Sequence, residues 1–346
     1  MSNHKGYANN SNEKNIKFKK NDSSLPLITP QYSTLTHYSP KDSVWDKNRS
    51  LAEDVSQIYS GTGDQVFDRL SSRMASCSDF LTFGWSDNKE TGESALKLSK
   101  TSFCRVRHCP VCQWRRSMMW QARFYQSLPS VIEKYPNSRF VFLTLTAKNC
   151  DIEDLRNTLD HMGKSWKRFI NRKQFKAVQG FIRTTEVTRS KDGQAHPHYH
   201  CLLMVRPSWF GKDYVKQSEW AEIWGSCLQI DYNPIIDIRV IKSKNGKKVL
   251  ANSVDALKGA VAETLKYSVK ASDMTDNPEW FLELTKQVHK LRFIATGGGL
   301  KDVLRIDEET NDDLIHGDDL SENEFERESR LSFNWRPSFR QYHRLK

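Results

Sequence analysis

Two stretches with strand character lie on either side of a turn signal. GFIRTTEVTR (180–189) and HPHYHCLLMV (196–205) flank the segment SKDGQA. Asp192-Gly193 within that segment is a strong hairpin signal, because this pair readily adopts the backbone of a tight turn. We therefore predict that the two stretches pair as antiparallel strands.

The second strand carries three histidines at alternate positions, His196, His198 and His200. Alternate residues share one face of a strand, and imidazoles held side by side on a rigid strand can bind a divalent ion. Glu186 on the neighbouring strand is the candidate carboxylate ligand. A two-residue turn would place Glu186 opposite Tyr199, so this assignment requires an odd-length loop such as a G1-bulge turn. The alternative is an exposed, His-rich strand end without a metal.

Further strands and helices alternate along the chain. RFVFLTLTAKNC (139–150) and IIDIRVI (235–241) are typical of strands, whereas 151–175, 220–228 and 253–271 have helical spacing. Long apolar runs of the kind found in parallel sheets are missing. The fold class predicted is α+β, with an antiparallel central sheet of about five strands flanked by helices and FVFLTLT beside HPHYHCLLMV at its centre.

The helix predicted over 253–271 has two different sides. Glu263, Tyr267 and Lys270 follow one another at i, i+4 and i+7, and therefore cluster on one side. A tyrosine can attack a phosphodiester if a metal polarises the phosphate and helps the phenol, with a pKa of ~10, to lose its proton. A glutamate one turn away can activate water. The alternative is an ordinary amphipathic helix. Its opposite side carries a bulky apolar stripe, formed by Val254, Leu257, Val261 and Leu265.

Four of the seven cysteines have metal-ligand spacing. The first residues are polar and rich in Asn and Lys, without the apolar stretch of a secretory signal, so we expect a cytoplasmic location and reduced thiols. Cys104, Cys109 and Cys112 form a tight loop motif, and Cys77 is preferred to His108 as fourth ligand. We predict a structural Zn²⁺ site with four thiolates. The alternative is a set of reduced core cysteines.

The charge is unevenly distributed. The chain carries a formal +11, but residues 307–330 contain eleven acids and two arginines, which leaves +20 on the rest. Such an excess favours nucleic acid as a partner, although plain solubility is an alternative. Trp114, Arg115, Arg116 and Arg123 suit phosphate contacts with aromatic stacking on bases, or equally a core helix with a basic outer face. We expect the acidic stretch to be disordered.

Three motifs together resemble a known family. FLTLT (142–146), HPHYH (196–200) and ETLKYSVK (263–270), in that order, resemble the motifs of rolling-circle plasmid replication initiators of the HUH endonuclease superfamily, specifically Rep class 1. The resemblance implies a ferredoxin-like or RRM-like sheet with a zinc-binding module inserted or N-terminal. The expected division is a flexible basic arm (1–45), a zinc-binding and helical module (46–130), an HUH endonuclease core (131–300), and an acidic disordered segment with a basic, aromatic tail (301–346).

The resemblance also implies roles for the candidate residues. His198 and His200 would bind Mn²⁺ or Mg²⁺, with Glu186 as third ligand or His196 as an accessory or alternative one. Tyr267 would nick one origin strand and form a 5′-phosphotyrosine. The remaining roles fall to Glu263, which would activate water to end the cycle, and to Lys270, which would contact phosphate or tune the phenol.

The implied partners are plasmid origin DNA, a host helicase and a host DNA polymerase that extends the 3′-hydroxyl, with homo-oligomerisation left open and no membrane. Two rival functions remain at this stage. One is an HUH relaxase or transposase, which would nick different DNA by the same chemistry. The other is a non-catalytic, zinc-containing DNA-binding regulator with incidental histidines.

Overall fold

The computed structural model describes residues 33–87, 94–241, 254–266, 269–305, 309–316 and 330–345. Within these ranges no helix is long and apolar enough to cross a membrane. The helices are α1 (Leu35–Tyr38), α2 (Ser43–Ser60), α3 (Gln65–Ala75), α4 (Pro110–Lys134), α5 (Leu155–Ile170), α6 (Gln217–Leu228), α7 (Val254–Thr264), α8 (Ala271–Thr275), α9 (Pro278–Gln287) and α10 (Asn311–His316). The strands are β1 (Phe80–Asp87), β2 (Ser94–Lys100), β3 (Arg139–Thr146), β4 (Val178–Arg189), β5 (Ala195–Val205), β6 (Ile236–Val240), β7 (Ile294–Gly298), β8 (Arg330–Arg336) and β9 (Gln341–Arg344).

The larger sheet has five antiparallel strands in the order β6-β3-β5-β4-β7. Strand β5 is central, and β3 lies beside it with Thr144 opposite His200. This confirms the predicted α+β class and the predicted neighbours at the centre of the sheet. The sheet is covered on both faces, which is why nearly every residue of β5 is buried.

Helices of different parts of the chain cover the two faces. On the face that carries His198 and His200, α4 and α7 pack against Phe142 and Leu202. On the other face, α5 and α6 pack against Tyr199 and Leu203. The helix predicted over 151–175 is present as α5, and its apolar residues are at most 6% exposed, namely Leu155, Leu159, Met162, Trp166 and Phe169. Three residues of the stripe predicted for α7 are also buried, namely Leu257, Val261 and Leu265.

A second sheet, in the order β2-β1-β8-β9, was not predicted. Its last two strands come from the C-terminal segment, which pairs with β1 far away in the sequence. Phe333 and Tyr342 are fully buried there, and the Tyr342 hydroxyl donates to the Ser78 carbonyl at 2.7 Å. The pattern of a short segment does not show which distant strand it pairs with, so this sheet could not be read from the sequence.

Two segments expected to lack structure are ordered over the parts that the structure describes. Residues 1–32 of the expected flexible arm lie outside the described residues, but Leu35 and Trp45 are fully buried and belong to α1 and α2. The acidic stretch contains α10, whose Leu314 and Ile315 side chains are buried. Both differences have the same cause, since a few large apolar side chains anchor segments whose average composition is polar. The domain boundaries remain a prediction.

Candidate active site

The β4–β5 hairpin sets the register of the candidate metal ligands. Glu186 lies directly opposite His198. In the connecting loop the Ser190 backbone N–H donates to the Gln194 carbonyl, and Gly193 has a φ of 89°, a region that favours glycine. The last residue pair of the hairpin, Arg189 and Ala195, encloses a loop of five residues, which is an odd number. The predicted odd-length loop is therefore confirmed, and it brings Glu186 to the face of the histidines.

Glu186, His198 and His200 converge on one point. The Oε2 atom of Glu186 lies 3.0 Å from Nε2 of His198 and 2.7 Å from Nε2 of His200. All three side chains are buried, and their candidate ligand atoms lie within 4.8 Å of one another. Nδ1 of His198 is 3.2 Å from the His196 carbonyl, and Nδ1 of His200 is 3.4 Å from the Thr144 hydroxyl. Such outer partners orient imidazoles toward a metal, so the donor set fits a metal ion.

His196 lies outside this group. Its side chain is only half-buried, and its Nδ1 atom is 2.7 Å from Oδ1 of Asn149. Of the two predicted third ligands, the structure thus brings Glu186, and not His196, together with the other two histidines.

Lys266 links the metal-ligand group to Glu263. Its Nζ atom lies 2.9 Å from Oε2 of Glu186 and 2.8 Å from Oε1 of Glu263, and the latter oxygen is 3.8 Å from Nε2 of His200. Burial raises the pKa of Glu186, but hydrogen bonds with His198, His200 and Lys266 outweigh burial and hold the pKa well below its ordinary value. Burial lowers the pKa of Lys266, but its bonds to Glu263 and Glu186 raise the pKa overall. The site therefore holds two carboxylates bridged by an ammonium.

Sequence reasoning missed Lys266. Its i+3 spacing from Glu263 in ETLK is the spacing of a helical ion pair, and that signal was available. Its contact with Glu186, eighty residues away, was not available, because it depends on how α7 packs against the hairpin.

The helix predicted over 253–271 is shorter than expected. Helix α7 ends at Thr264, and α8 begins only at Ala271. The terminal carbonyls of α7 accept side-chain hydrogen bonds at 2.6 Å, that of Leu265 from Ser117 and that of Thr264 from Thr184. These bonds replace the partners that carbonyls lose where a helix stops.

The early helix end changes the predicted arrangement of the catalytic residues. Lys270 is exposed and lies in extended backbone just before α8, so its predicted i+7 relation to Glu263 on a single helix is wrong. Tyr267 lies outside the described residues. Glu263, by contrast, is beside the metal-ligand group, as the resemblance implied.

The four predicted zinc ligands also come together. The Sγ atom of Cys77 is 3.7 Å from that of Cys112 and 3.6 Å from that of Cys109, and Cys104 and Cys112 are 3.6 Å apart. Backbone N–H groups lie near two of the sulfurs, that of Cys104 at 3.5 Å from Cys77 and that of Val106 at 3.4 Å from Cys104. Hydrogen bonds from the other three thiols lower the pKa of Cys104. The cluster could hold a metal ion.

His108 is not part of the cysteine cluster. Its Nδ1 atom lies 3.2 Å from the Thr285 hydroxyl and 3.4 Å from the Tyr59 hydroxyl. Burial of the imidazole, and to a smaller extent repulsion from Arg107, lowers the pKa of His108 to about 3. The preference for Cys77 over His108 agrees with this geometry.

Comparison with known proteins assigns the family. The family model described as replication protein (Rep_1) matches residues 95–343, well over half of the chain. The chain belongs to the Rep_1 replication protein family. The resemblance of the three motifs to Rep class 1 is thereby confirmed.

Individual relatives agree with this assignment to the Rep_1 family. "Protein rep" of Streptococcus pneumoniae is 33% identical over 288 residues, covering 81% of this chain and 85% of that protein. "Protein rep" of Lactiplantibacillus plantarum is 34% identical over 274 residues, covering 75% and 83%. A "Replication protein" of Staphylococcus aureus is 37% identical over 202 residues, covering 55% and 83%. The search of solved structures found no match.

In this Rep_1 protein the residues predicted to contact DNA lie on α4, and Arg115 among them is buried. Its guanidinium donates to the carbonyls of Leu314 and Ile315 at 2.7 and 2.8 Å. It also lies over the rings of Trp45 and Trp114, 5.5 and 5.3 Å from their centroids. These contacts are typical of a residue that fixes α10 against α4.

The other two arginines of α4 bind acidic residues of the same chain. Arg116 holds Glu309 through two nitrogens, at 2.7 and 2.8 Å, and Arg123 lies 2.6 Å from Asp313. The described part of the acidic stretch, residues 309–316, therefore lies on the basic helix α4.

Proposed function

We propose that this Rep_1 family member initiates rolling-circle replication of a plasmid by nicking one strand at the double-strand origin. One observation carries the proposal. Glu186, His198 and His200 converge on a single point, with Glu263 and Lys266 beside them at the end of α7. Tyr267 is the residue that follows Lys266 in the sequence.

Mn²⁺ or Mg²⁺ is the proposed ion at Glu186, His198 and His200, because two imidazoles and a carboxylate leave positions open for substrate oxygens. When bound, it would polarise the scissile phosphodiester. The Lys266 ammonium lies 2.8 Å from Oε1 of Glu263 and holds this carboxylate next to His200.

Tyr267 is the proposed nucleophile. Its phenolic oxygen forms a bond to the scissile phosphorus, and the bond from phosphorus to the 3′ oxygen breaks. The products are a 5′-phosphotyrosine and a 3′-hydroxyl that primes a host DNA polymerase. To end the cycle, Glu263 takes a proton from a water molecule whose oxygen bonds to the phosphorus of the phosphotyrosine. The bond from phosphorus to the Tyr267 oxygen breaks, which leaves a 5′-phosphate on the strand and, after protonation, the free phenol. Lys270 contacts a phosphate of the strand or tunes the phenol.

Zinc is the proposed ion of the cysteine cluster. A tetrahedral site with Zn–S bonds of about 2.3 Å has Sγ atoms about 3.8 Å apart. The observed separations of 3.6 and 3.7 Å fit this geometry. With four thiolates such a site has no open position, so its role is structural: it joins the start of α4 to the segment between α3 and β1.

The basic face of α4 is the proposed DNA-binding surface, through Arg116 and Arg123. Trp114, predicted as a stacking partner for bases, lies on the other side of the helix, where its ring centroid is 4.7 Å from that of Trp45. Arg115 supports this surface from below. Glu309 and Asp313 occupy the two guanidinium groups, so DNA has to displace them before it can contact this surface. Plasmid origin DNA, host helicase and host polymerase are the proposed partners, and the bacterial cytoplasm is the proposed location.

A labelled oligonucleotide that carries the nick site tests the chemistry. With Mn²⁺, wild-type protein should form a covalent adduct with the 3′-labelled strand on a denaturing gel. The 5′-labelled strand should shorten and become extendable by a polymerase. Tyr267→Phe should bind the oligonucleotide but form no adduct. Adducts on unrelated DNA rather than on the origin would favour a relaxase or transposase. The absence of an adduct with any strand would favour a non-catalytic regulator.

Glu263→Gln separates nicking from termination. Because Tyr267 and the metal ligands remain, this variant should still form the adduct, but release of the strand by water should be slower by at least about 100-fold. The release rate is measured by quenching samples at successive times and separating them on a denaturing gel. Release at the wild-type rate would contradict the role proposed for Glu263.

A further inference from the structure

A second cleft lies on the face of the larger sheet opposite the metal-ligand group. It has a volume of about 480 Å³ and is enclosed by α5, strands β4 and β5, and the segment before β7. Arg183 and Tyr199 line it, and both point away from the histidines because they occupy the alternate positions of their strands. Trp166 and Phe293 form apolar walls.

Arg183 is the unusual residue of this cleft. Its side chain is only 9% exposed, and its guanidinium lies 4.1 Å from the centroid of the Tyr199 ring and 5.3 Å from that of Trp166. Its Nε atom is buried without a hydrogen-bond partner, and no described carboxylate forms an ion pair with it. Aromatic rings stabilise the flat face of a guanidinium, but its N–H edge still needs an acceptor. Because arginine stays charged, this arrangement is costly unless an anion binds.

The other charges around the cleft favour an anion. Lys164, Lys167 and Arg292 also line it, and all three are exposed. The one acid in the lining, Asp160, lies 3.5 Å from Arg156. Four cations around one pocket attract a polyanion, and a guanidinium fork matches the oxygens of a phosphate group.

The position of Arg292 connects this cleft to the catalytic side. Leu291, Arg292 and Phe293 also line another cleft, of about 370 Å³, which includes Lys266 of the metal site. The two clefts therefore meet at the segment before the edge strand β7. A polynucleotide that is bound at the metal site can therefore continue past Arg292 to Arg183. A single phosphate ion would not require such a connection between the two clefts.

We propose that the cleft around Arg183 binds a phosphate group of the substrate DNA strand, so that the strand passes around the β7 edge of the sheet. The proposal rests on the proposed function for the identity of the strand. Arg183 supplies the buried fork, and Lys164 and Lys167 supply the outer charge.

The test uses two exposed lysines, so that folding is preserved. In a Tyr267→Phe background without added divalent cation, Lys164→Gln/Lys167→Gln should bind a fluorescent single-stranded oligonucleotide roughly tenfold more weakly by anisotropy. The slope of log affinity against log salt should decrease by about 0.7 for each phosphate that the variant no longer neutralises. The matched control is Lys173→Gln/Lys176→Gln, which changes the same charge at exposed residues outside the cleft. Equally weakened binding in both variants overturns the proposal.

A third variant tests the buried fork itself. Arg183→Lys keeps the charge but removes the fork, and should reproduce the weaker oligonucleotide binding; unchanged binding overturns the proposal. A different result would be that free thymidine monophosphate competes at this site while none of the variants affects oligonucleotide binding. That result also overturns the proposal, because the cleft would then bind a free nucleotide and not the DNA strand. Failure of wild-type protein to form any adduct would reject the proposed function and leave the binding test valid.

Discussion

Replacing Glu309 and Asp313 by glutamine and asparagine should strengthen DNA binding, because both acids occupy arginines of α4. The ion pairs are partly buried: the side chains of Arg116 and Glu309 are 15% and 22% exposed, and those of Arg123 and Asp313 are 28% and 22% exposed. About 1 kcal/mol for each pair lies at the upper end of values for ion pairs near a surface. Together the two pairs contribute about 2 kcal/mol to keeping Glu309 and Asp313 on the two guanidinium groups.

This energy sets the expected change in affinity. If DNA and the segment compete for the same guanidinium groups, the apparent affinity is the intrinsic one multiplied by the open fraction. Since about 1.4 kcal/mol corresponds to a factor of ten, Glu309→Gln/Asp313→Asn should bind origin DNA up to roughly 25-fold more tightly. Leu314 and Ile315 remain buried, so α10 should stay folded.

The assay is fluorescence anisotropy with labelled origin DNA in a Tyr267→Phe background. Asp302→Asn/Asp312→Asn is the matched control, because both acids are exposed and the net charge changes by the same amount. A general electrostatic effect would strengthen binding equally in both variants. Equal affinities in the two variants, or no gain over the parent, would refute the idea that the segment covers a DNA-binding surface.

Three further predictions concern the metal sites and the buried histidine. His200→Ala should abolish Mn²⁺ binding in isothermal titration calorimetry. His196→Ala should weaken it by less than the roughly tenfold loss typical of an outer partner, because the His196 side chain contacts Asn149 and only its backbone carbonyl, which alanine keeps, contacts His198; equal effects of the two substitutions would contradict the assigned triad. Cys112→Ser should release zinc, measured by a chromogenic chelator, and lower the melting temperature; retained zinc would place the metal elsewhere. His108 has a pKa lowered by burial to about 3 from 6.5, so the unfolded chain takes up a proton that the folded protein does not, and stability should fall as the pH decreases from 6.5 toward 3. In urea unfolding at several pH values, His108→Gln should weaken this dependence and the exposed His289→Gln should not; identical pH profiles for the two variants would contradict the assignment.

Local patterns determined much of the site. Alternation along β5 puts His198 and His200 on one face, and this rule holds wherever the strand lies. The requirement for an odd-length loop followed from the same alternation, because Glu186 can share their face only in that register. The spacing of Cys104, Cys109 and Cys112 indicated a thiolate cluster in the same way. Each of these features depends on backbone geometry within a few residues.

Tertiary structure decided what the local patterns left open. Helix α7 ends at Thr264, and Ser117 and Thr184 from other elements donate hydrogen bonds to the carbonyls at this end. Helical periodicity alone predicts a helix as far as residue 271. Lys266 bridges Glu186 and Glu263 only once α7 packs on the hairpin. Glu309 pairs with Arg116, which lies more than 190 residues earlier in the sequence. Such contacts arise from closing long loops and burying distant surfaces together, and no periodicity within one segment encodes them.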